Sequence, residues 1–159
     1  MMSDRSIRAR AVALVCAAAI GAAPVAAHAA VTDAAAISAS LKALNLPADV
    51  VTNGDIQTVD STFGPDMMFS IYLSNCETAH TNCKTVMFEA SFTDTSAGIA
   101  EMNTFNNDHR FARGVIDVSG EPAIRMDLPA SAVSGAEFEG SVTLWRRLMS
   151  AFAETIFPS

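Results

Sequence analysis

The sequence predicts an α+β domain in which helices flank an antiparallel sheet, in the order α-β-β-β-β-α-β-β-α. Three observations carry this. Period-two alternation of apolar and polar residues runs through Met67–Ser74 and Thr85–Phe92, as in strands with one buried and one wet face. Apolar residues return at helical spacing at Phe138, Val142, Trp145, Met149, Phe152 and Ile156, a stripe that a sheet would cover. Short polar turns, not long crossovers, separate most of the strand-like pieces, which points to hairpins with helices segregated to one side.

Asp33 to Leu44 is a helix, with Thr32 or Asp33 able to cap it and Ile37, Leu41 and Leu44 on one face. Pro47 stops it. Val50–Thr52 and Ile56–Val59 are short strands about the turn Asn53-Gly54-Asp55, and Gly64-Pro65-Asp66 punctuates the chain next. Met67, Phe69, Ile71 and Leu73 then face one way and Met68, Ser70, Tyr72 and Ser74 the other. In the next strand Val86, Phe88, Ala90 and Phe92 oppose Thr85, Met87, Glu89 and Ser91. Asp94-Thr95-Ser96 offers a cap for a second helix striped by Ile99, Met102 and Phe105. Phe111–Val118 and Ala123–Leu128 form a hairpin about Ser119-Gly120, and small residues from Pro129 to Ala136 lead into the last helix.

The N-terminus reads as an export signal. Arg5, Arg8 and Arg10 precede an apolar run from Ala11 to about Ile20, and Ala27-His28-Ala29 supplies the small residues a signal peptidase reads. Cleavage is expected before Ala30, leaving residues 30–159 as one periplasmic domain. The alanine-rich run is short for a spanning helix, which needs roughly 20 apolar residues, so no stable membrane insertion is expected after cleavage. Cys16 lies inside the apolar run without the small residues that precede a lipidated cysteine.

Asp4 and three arginines leave with that segment, so sixteen acidic and seven basic residues remain, a formal charge of −9 against −7 for the whole chain. Such a balance keeps a small protein soluble and repels nucleic acid, and no basic stripe is present to neutralise phosphates. The last helix carries only Arg146 and Arg147 as basic residues, so its apolar face is assigned to the sheet and not to a lipid surface.

Cys76 and Cys83 bracket a polar turn between two β-patterned segments. In an oxidising compartment they are expected to pair as a structural disulfide. A metal site with His80 is an alternative, but the turn supplies three ligands where zinc takes four. A redox-active pair is another, although such cysteines normally sit two residues apart at a helix N-terminus.

The stretch from Asn103 to Leu128 combines paired asparagines at a helix end (Asn103, Asn106), Arg110-Phe111 and Arg113 entering a strand, Asp117 and Gly120 at a turn, and Asp127 in the next strand. This pattern resembles the YbjN family, labelled a bacterial sensory transduction regulator, over about Asp55 to Phe157. Phe105 stands where members often carry Trp before the second Asn, and Val115 where they often carry an aromatic residue. The resemblance implies a fold similar to type III secretion chaperones and a role in sensory or stress regulation. It also makes a homodimer an expectation.

Asn103, Asn106, Asn107 and Arg110 form the best polar constellation. They can serve the helix C-terminus, or they can present donors to a peptide or a small anion. Arg113 can pair with Asp127 across neighbouring strands, Glu89 is expected to face solvent, and His109 to act at the helix end. The methionines Met67, Met68, Met87, Met102, Met126 and Met149 suit a small core or an adaptable binding surface. No metalloprotease HExxH, nucleophile elbow or phosphate loop is present, and asparagine is a poor acid or base. The expectation is therefore a non-enzymatic domain without cofactor or metal that binds a protein or peptide partner, or self-associates, through the open sheet face or its helix-flanked edge, with Asn103, Asn106, Arg110 and Arg113 as a candidate surface. A periplasmic small-ligand or metal sensor is the alternative, and an unrecognised hydrolase a more distant one.

Overall fold

The computed structural model describes residues 33–54, 56–77, 80–129 and 135–158. The expected export signal, with Cys16 and His28, lies outside the described residues, as do the middle of the Pro129–Ala136 joint and turn residue Asp55. Three helices and six strands succeed one another in the expected order: α1 (Ala34–Ala43), β1 (Asp49–Asn53), β2 (Ile56–Thr62), β3 (Met68–Ser74), β4 (Thr85–Ser91), α2 (Ile99–Asp108), β5 (Arg113–Ile116), β6 (Pro122–Pro129) and α3 (Gly135–Ile156). The strands form one antiparallel sheet ordered β1-β2-β3-β4-β6-β5. After β4 the chain passes through α2, so β5 becomes an outer strand and β6 returns between it and β4.

Alternation decides what each face carries. Val59, Ile71, Phe88 and Met126 stand opposite one another across β2, β3, β4 and β6, and all are essentially buried. Against this row lies α3, whose Phe138, Val142, Trp145, Met149, Phe152 and Ile156 are buried as the stripe predicts, with Leu148 beside them. Trp145 rests its ring 5.6 Å from Phe88 and 6.3 Å from Phe69, while Phe152 meets Phe105 of α2 edge-on at 5.0 Å. Each fully buried side chain of this size contributes roughly 1.5–3 kcal/mol, so the α3 seam is the largest apolar contribution to the core.

Local chemistry fixes the ends of the elements. Asp33 caps α1, its carboxylate accepting from Ala36 N–H at 2.8 Å. Two buried hydroxyls then hold the link into the sheet: Ser38 donates to the Ala48 carbonyl and Ser61 to that of Pro47. The start of α2 differs from the expectation. Its N-cap is Gly98, whose N–H donates to Glu101 at 2.7 Å. Thr95 instead donates to the Ile156 carbonyl and accepts from Ala97 N–H, so the predicted cap is used to tie the loop to the end of α3.

The fifth strand is also shorter than its pattern. Phe111 lies outside it, 77% exposed and with φ of 70°, because the chain must turn sharply between α2 and β5. The β5–β6 turn is organised by Asp117, which accepts from Ser119 N–H, the Ser119 hydroxyl and Glu121 N–H. Gly120 supplies the positive φ of 90°.

Gly114 sits where α2, α3 and β5 meet. A Cβ there would stand 2.9 Å from Phe152 Cε2 and 3.1 Å from Met102 Sδ. Gly114→Ala should therefore lower unfolding stability by about 1–3 kcal/mol, read by denaturant titration of the fluorescence of Trp145, the only tryptophan. A stability equal to wild type would contradict this packing.

Hydrogen bonds from the Ser119 hydroxyl and then Glu121 N–H hold the Asp117 carboxyl below its ordinary 3.8. Glu101 lies below 4.5 because Gly98 N–H donates to it. A depressed acid stabilises the fold above its unfolded value and loses that contribution as pH falls through its folded one. Asp117→Asn should flatten part of the stability loss below about pH 4, measured by denaturant midpoints between about pH 5 and 2; an unchanged acid limb would contradict it.

Candidate functional site

The residues singled out in the sequence fall on two surfaces: the sheet face turned away from the helices and the α2–β5 edge. The open face is built from the alternate residues of the same strands. One transverse row runs Asp49, Asp60, Ser70, Glu89, Arg125 and Arg113, one residue from each strand in spatial order. The adjacent row runs Val51, Thr58, Tyr72, Met87 and Asp127. Carboxylates thus gather over β1 and β2 and guanidinium groups over β6 and β5.

Arg113 and Arg125 are directly opposite each other, which alone would be repulsive. Each is drawn to its own carboxylate. Arg125 Nε donates to Glu89, and Arg113 Nη1 to Asp127. The second pair is about half exposed and contributes at most about 1 kcal/mol. Glu89 does lie on the face away from the helices, but its side chain is only 16% exposed; Arg125 and Tyr72 cover it. The phenol of Tyr72 is pushed above 10.0, first by burial and then by the charges of Glu89 and Asp60. Ser70 donates to Asp60 at 2.8 Å.

Beside these residues opens a groove of about 470 Å³, with Asp49, Asp60, Thr62, Met68, Tyr72 and Glu89 among its lining. Its lining presents carboxylates, hydroxyls, a phenol and the 71% exposed thioether of Met68. Its lining holds no histidine or cysteine to work with its serines.

At the other surface Asn106 has a role the sequence did not disclose. Its Nδ2 donates to the Gly114 carbonyl at 3.0 Å and its Oδ1 accepts from Gly114 N–H at 2.7 Å. An amide side chain thus pairs with the outer edge of β5 as a neighbouring strand would. This corrects the expectation that Asn106 serves its own helix end. The missing signal was the distance in sequence: nothing local says that residue 106 will meet the backbone of residue 114.

The four residues named as a surface do not form one patch. Asn106 is used by the fold, Arg113 lies on the open face, and Asn103 and Arg110 are exposed on α2 and just beyond it. His109 ends α2, its ring stacked on Phe105 at 4.5 Å and its Nδ1 3.3 Å from the Phe105 carbonyl. Cys76 and Cys83 are joined in a disulfide that closes the β3–β4 loop. For a loop of this length the chain-entropy model gives about 2.5 kcal/mol. Both sulfurs are then unavailable as thiolate ligands to a metal beside His80. Among the described residues no group of three or more His, Cys, Asp and Glu side chains is placed to hold a metal ion, and no helix is long and apolar enough to cross a membrane.

Residues 33–158 match the model of the family YbjN, "Putative bacterial sensory transduction regulator". The chain belongs to the YbjN family. The match begins at Asp33, the α1 cap, so the YbjN domain takes in α1 and the first hairpin as well as the stretch from Asp55 that carries the resemblance. No curated protein matches the chain.

Asn106→Ala removes both bonds to Gly114 and should cost about 1–2 kcal/mol, with the Gly114 amide exchanging faster in hydrogen-exchange measurements. Undiminished protection at Gly114 would show that the YbjN domain does not rely on this amide at its edge.

Proposed function

We propose that this chain is an exported, periplasmic, non-enzymatic protein-interaction domain whose open sheet face receives a protein or peptide partner in the service of sensory or stress regulation. The observation that carries the reading is the open face itself. No helix among the described residues packs on it, yet its residues are not an indifferent polar coat: charged and apolar rows run across the strands and border a groove. Partner recognition reads such mixtures of anchoring apolar groups and oriented charges. The regulatory setting is supported by membership of the family, and an adaptor role akin to secretion chaperones by the resemblance alone. Export is supported by the arginines, apolar run and Ala27-His28-Ala29 of the first 29 residues.

A second reading is supported by the size of the groove. At about 470 Å³ it lies within the ~300–1,000 Å³ range of small-molecule sites, so a small ligand could take the place of a peptide there.

In-cell cross-linking of the tagged protein, recovered from the periplasm and analysed by mass spectrometry, tests the leading reading. A recurrent partner should be captured, lost in Tyr72→Ala and Asp60→Arg, and kept in Arg147→Ala on the exposed side of α3. Retention of the partner by both open-face variants would remove this face from the interaction, and recovery of the protein only from the cytoplasm would sink the export.

A further inference from the structure

The order of charge across the open face singles out one occupant for it. Numbered by position in the sheet, the first row reads acid, acid, hydroxyl, acid, base, base: Asp49, Asp60, Ser70, Glu89, Arg125, Arg113. Such a row is complementary to itself when reversed. A two-fold axis parallel to the strands and passing above the space between β3 and β4 exchanges the first strand with the sixth, the second with the fifth and the third with the fourth. It would set Asp49 against the second copy's Arg113, Asp60 against its Arg125 and Ser70 against its Glu89. The neighbouring row obeys the same operation, with Thr58 meeting Asp127 and Tyr72 meeting Met87. A two-fold axis along the rows would instead stack acid on acid.

We infer that the open face pairs with a second copy of this chain, sheet against sheet, about a two-fold axis parallel to the strands. This rests on the reading of that face as an interaction surface and names its partner. The arginines have the capacity for it. Arg125 commits Nε to Glu89 and Arg113 commits Nη1 to Asp127, while a guanidinium carries five donors, so each can take a carboxylate from the second copy as well. The Asp49 carboxylate makes no hydrogen bond or ion pair in its own chain among the described residues. The contact is isologous and closes as a dimer without leaving a free end to propagate. Six strands spaced by about 4.8 Å, each contributing roughly 15–20 Å of length, give a footprint of about 500 Å² per copy. That lies at the low end of specific interfaces, so the dimer is weak and concentration-dependent.

Sedimentation equilibrium of the purified protein from about 1 µM to 1 mM should show a monomer–dimer equilibrium that weakens with added salt. Asp49→Arg and Arg113→Asp should each raise the dissociation constant at least tenfold, because each places like charges together twice per dimer. Mixed in equal amounts, the two variants should associate again. The cation introduced on β1 of one copy then meets the anion introduced on β5 of the other, and the two unaltered residues meet as well. Asp49→Arg alters an exposed residue of an outer strand and keeps the test alive if Arg113→Asp fails to fold, which its melting curve reports. A monomer at every concentration overturns the proposal, as does self-association indifferent to Asp49→Arg or a mixture of folded variants that stays monomeric. A foreign partner still captured through this face alongside a strict monomer would refute the self-pairing alone. A dimer that forms while no other protein is captured would uphold it and confine the interaction reading to self-association.

Discussion

The seating of α3 on one face of the sheet is the constraint on which the rest depends. Trp145 against Phe88 and Phe69, with Phe138 against Phe88, forms one aromatic cluster over β3 and β4, and Phe152 against Phe105 and Phe92 forms a second that reaches α2. Because strand side chains alternate with period two, a slip of one residue in any strand would exchange its core set for its solvent set. Packing under α3 therefore fixes the register, and the register in turn lays out the charged and apolar rows of the other face. The candidate interaction surface is, in this sense, the reverse side of the core.

The two outer strands are managed differently. β5 is short, and its outward backbone groups at Gly114 are taken by the Asn106 amide; Phe152 and Met102 also approach Gly114 so closely that a Cβ there would force one of them to shift. One position thus joins helix, edge strand and core. β1 has no comparable cover among the described residues: all five of its residues are exposed, Val50 and Val51 included. An uncovered edge is usually blunted by charge or distortion, and here Asp49 stands at its start. The asymmetry puts structural closure at the β5 side and availability at the β1 side.

The ion pairs on the open face hold the pattern of charge more than they stabilise the fold. Arg125 with Glu89 and Arg113 with Asp127 relieve two arginines that the register forces to face each other. Each pairing draws a guanidinium toward a carboxylate of the neighbouring strand, with Arg113 and Asp127 still about half exposed and Arg125 and Glu89 more covered. Glu89, covered by Arg125 and Tyr72, is the most constrained member of that network.

Much of this was legible in the chain itself. Alternation in β3 and β4, the helical stripe of α3 and the Ser119-Gly120 turn pointed to those elements and to most of their buried residues, because hydrophobic periodicity is a local property; Ile99, placed with Met102 and Phe105 on the α2 stripe, is instead 72% exposed. The Arg113–Asp127 pair was foreseen once the hairpin was placed. The start of α2 was not, since Thr95 found a better acceptor in the Ile156 carbonyl, sixty-one residues away; nor was the left-handed turn at Phe111, whose apolar character reads as strand. Asn106 was noticed but given the wrong partner, because only the packing of α2 beside β5 brings Gly114 within its reach. The sequence alone thus determined the elements, their faces and the acidic balance, all set by residues close together in the chain. The tertiary structure decided the strand order, the partner of Asn106 and the alignment of Asp49, Asp60, Glu89, Arg125 and Arg113 in one row, because these depend on contacts between segments whose pairing no local pattern encodes.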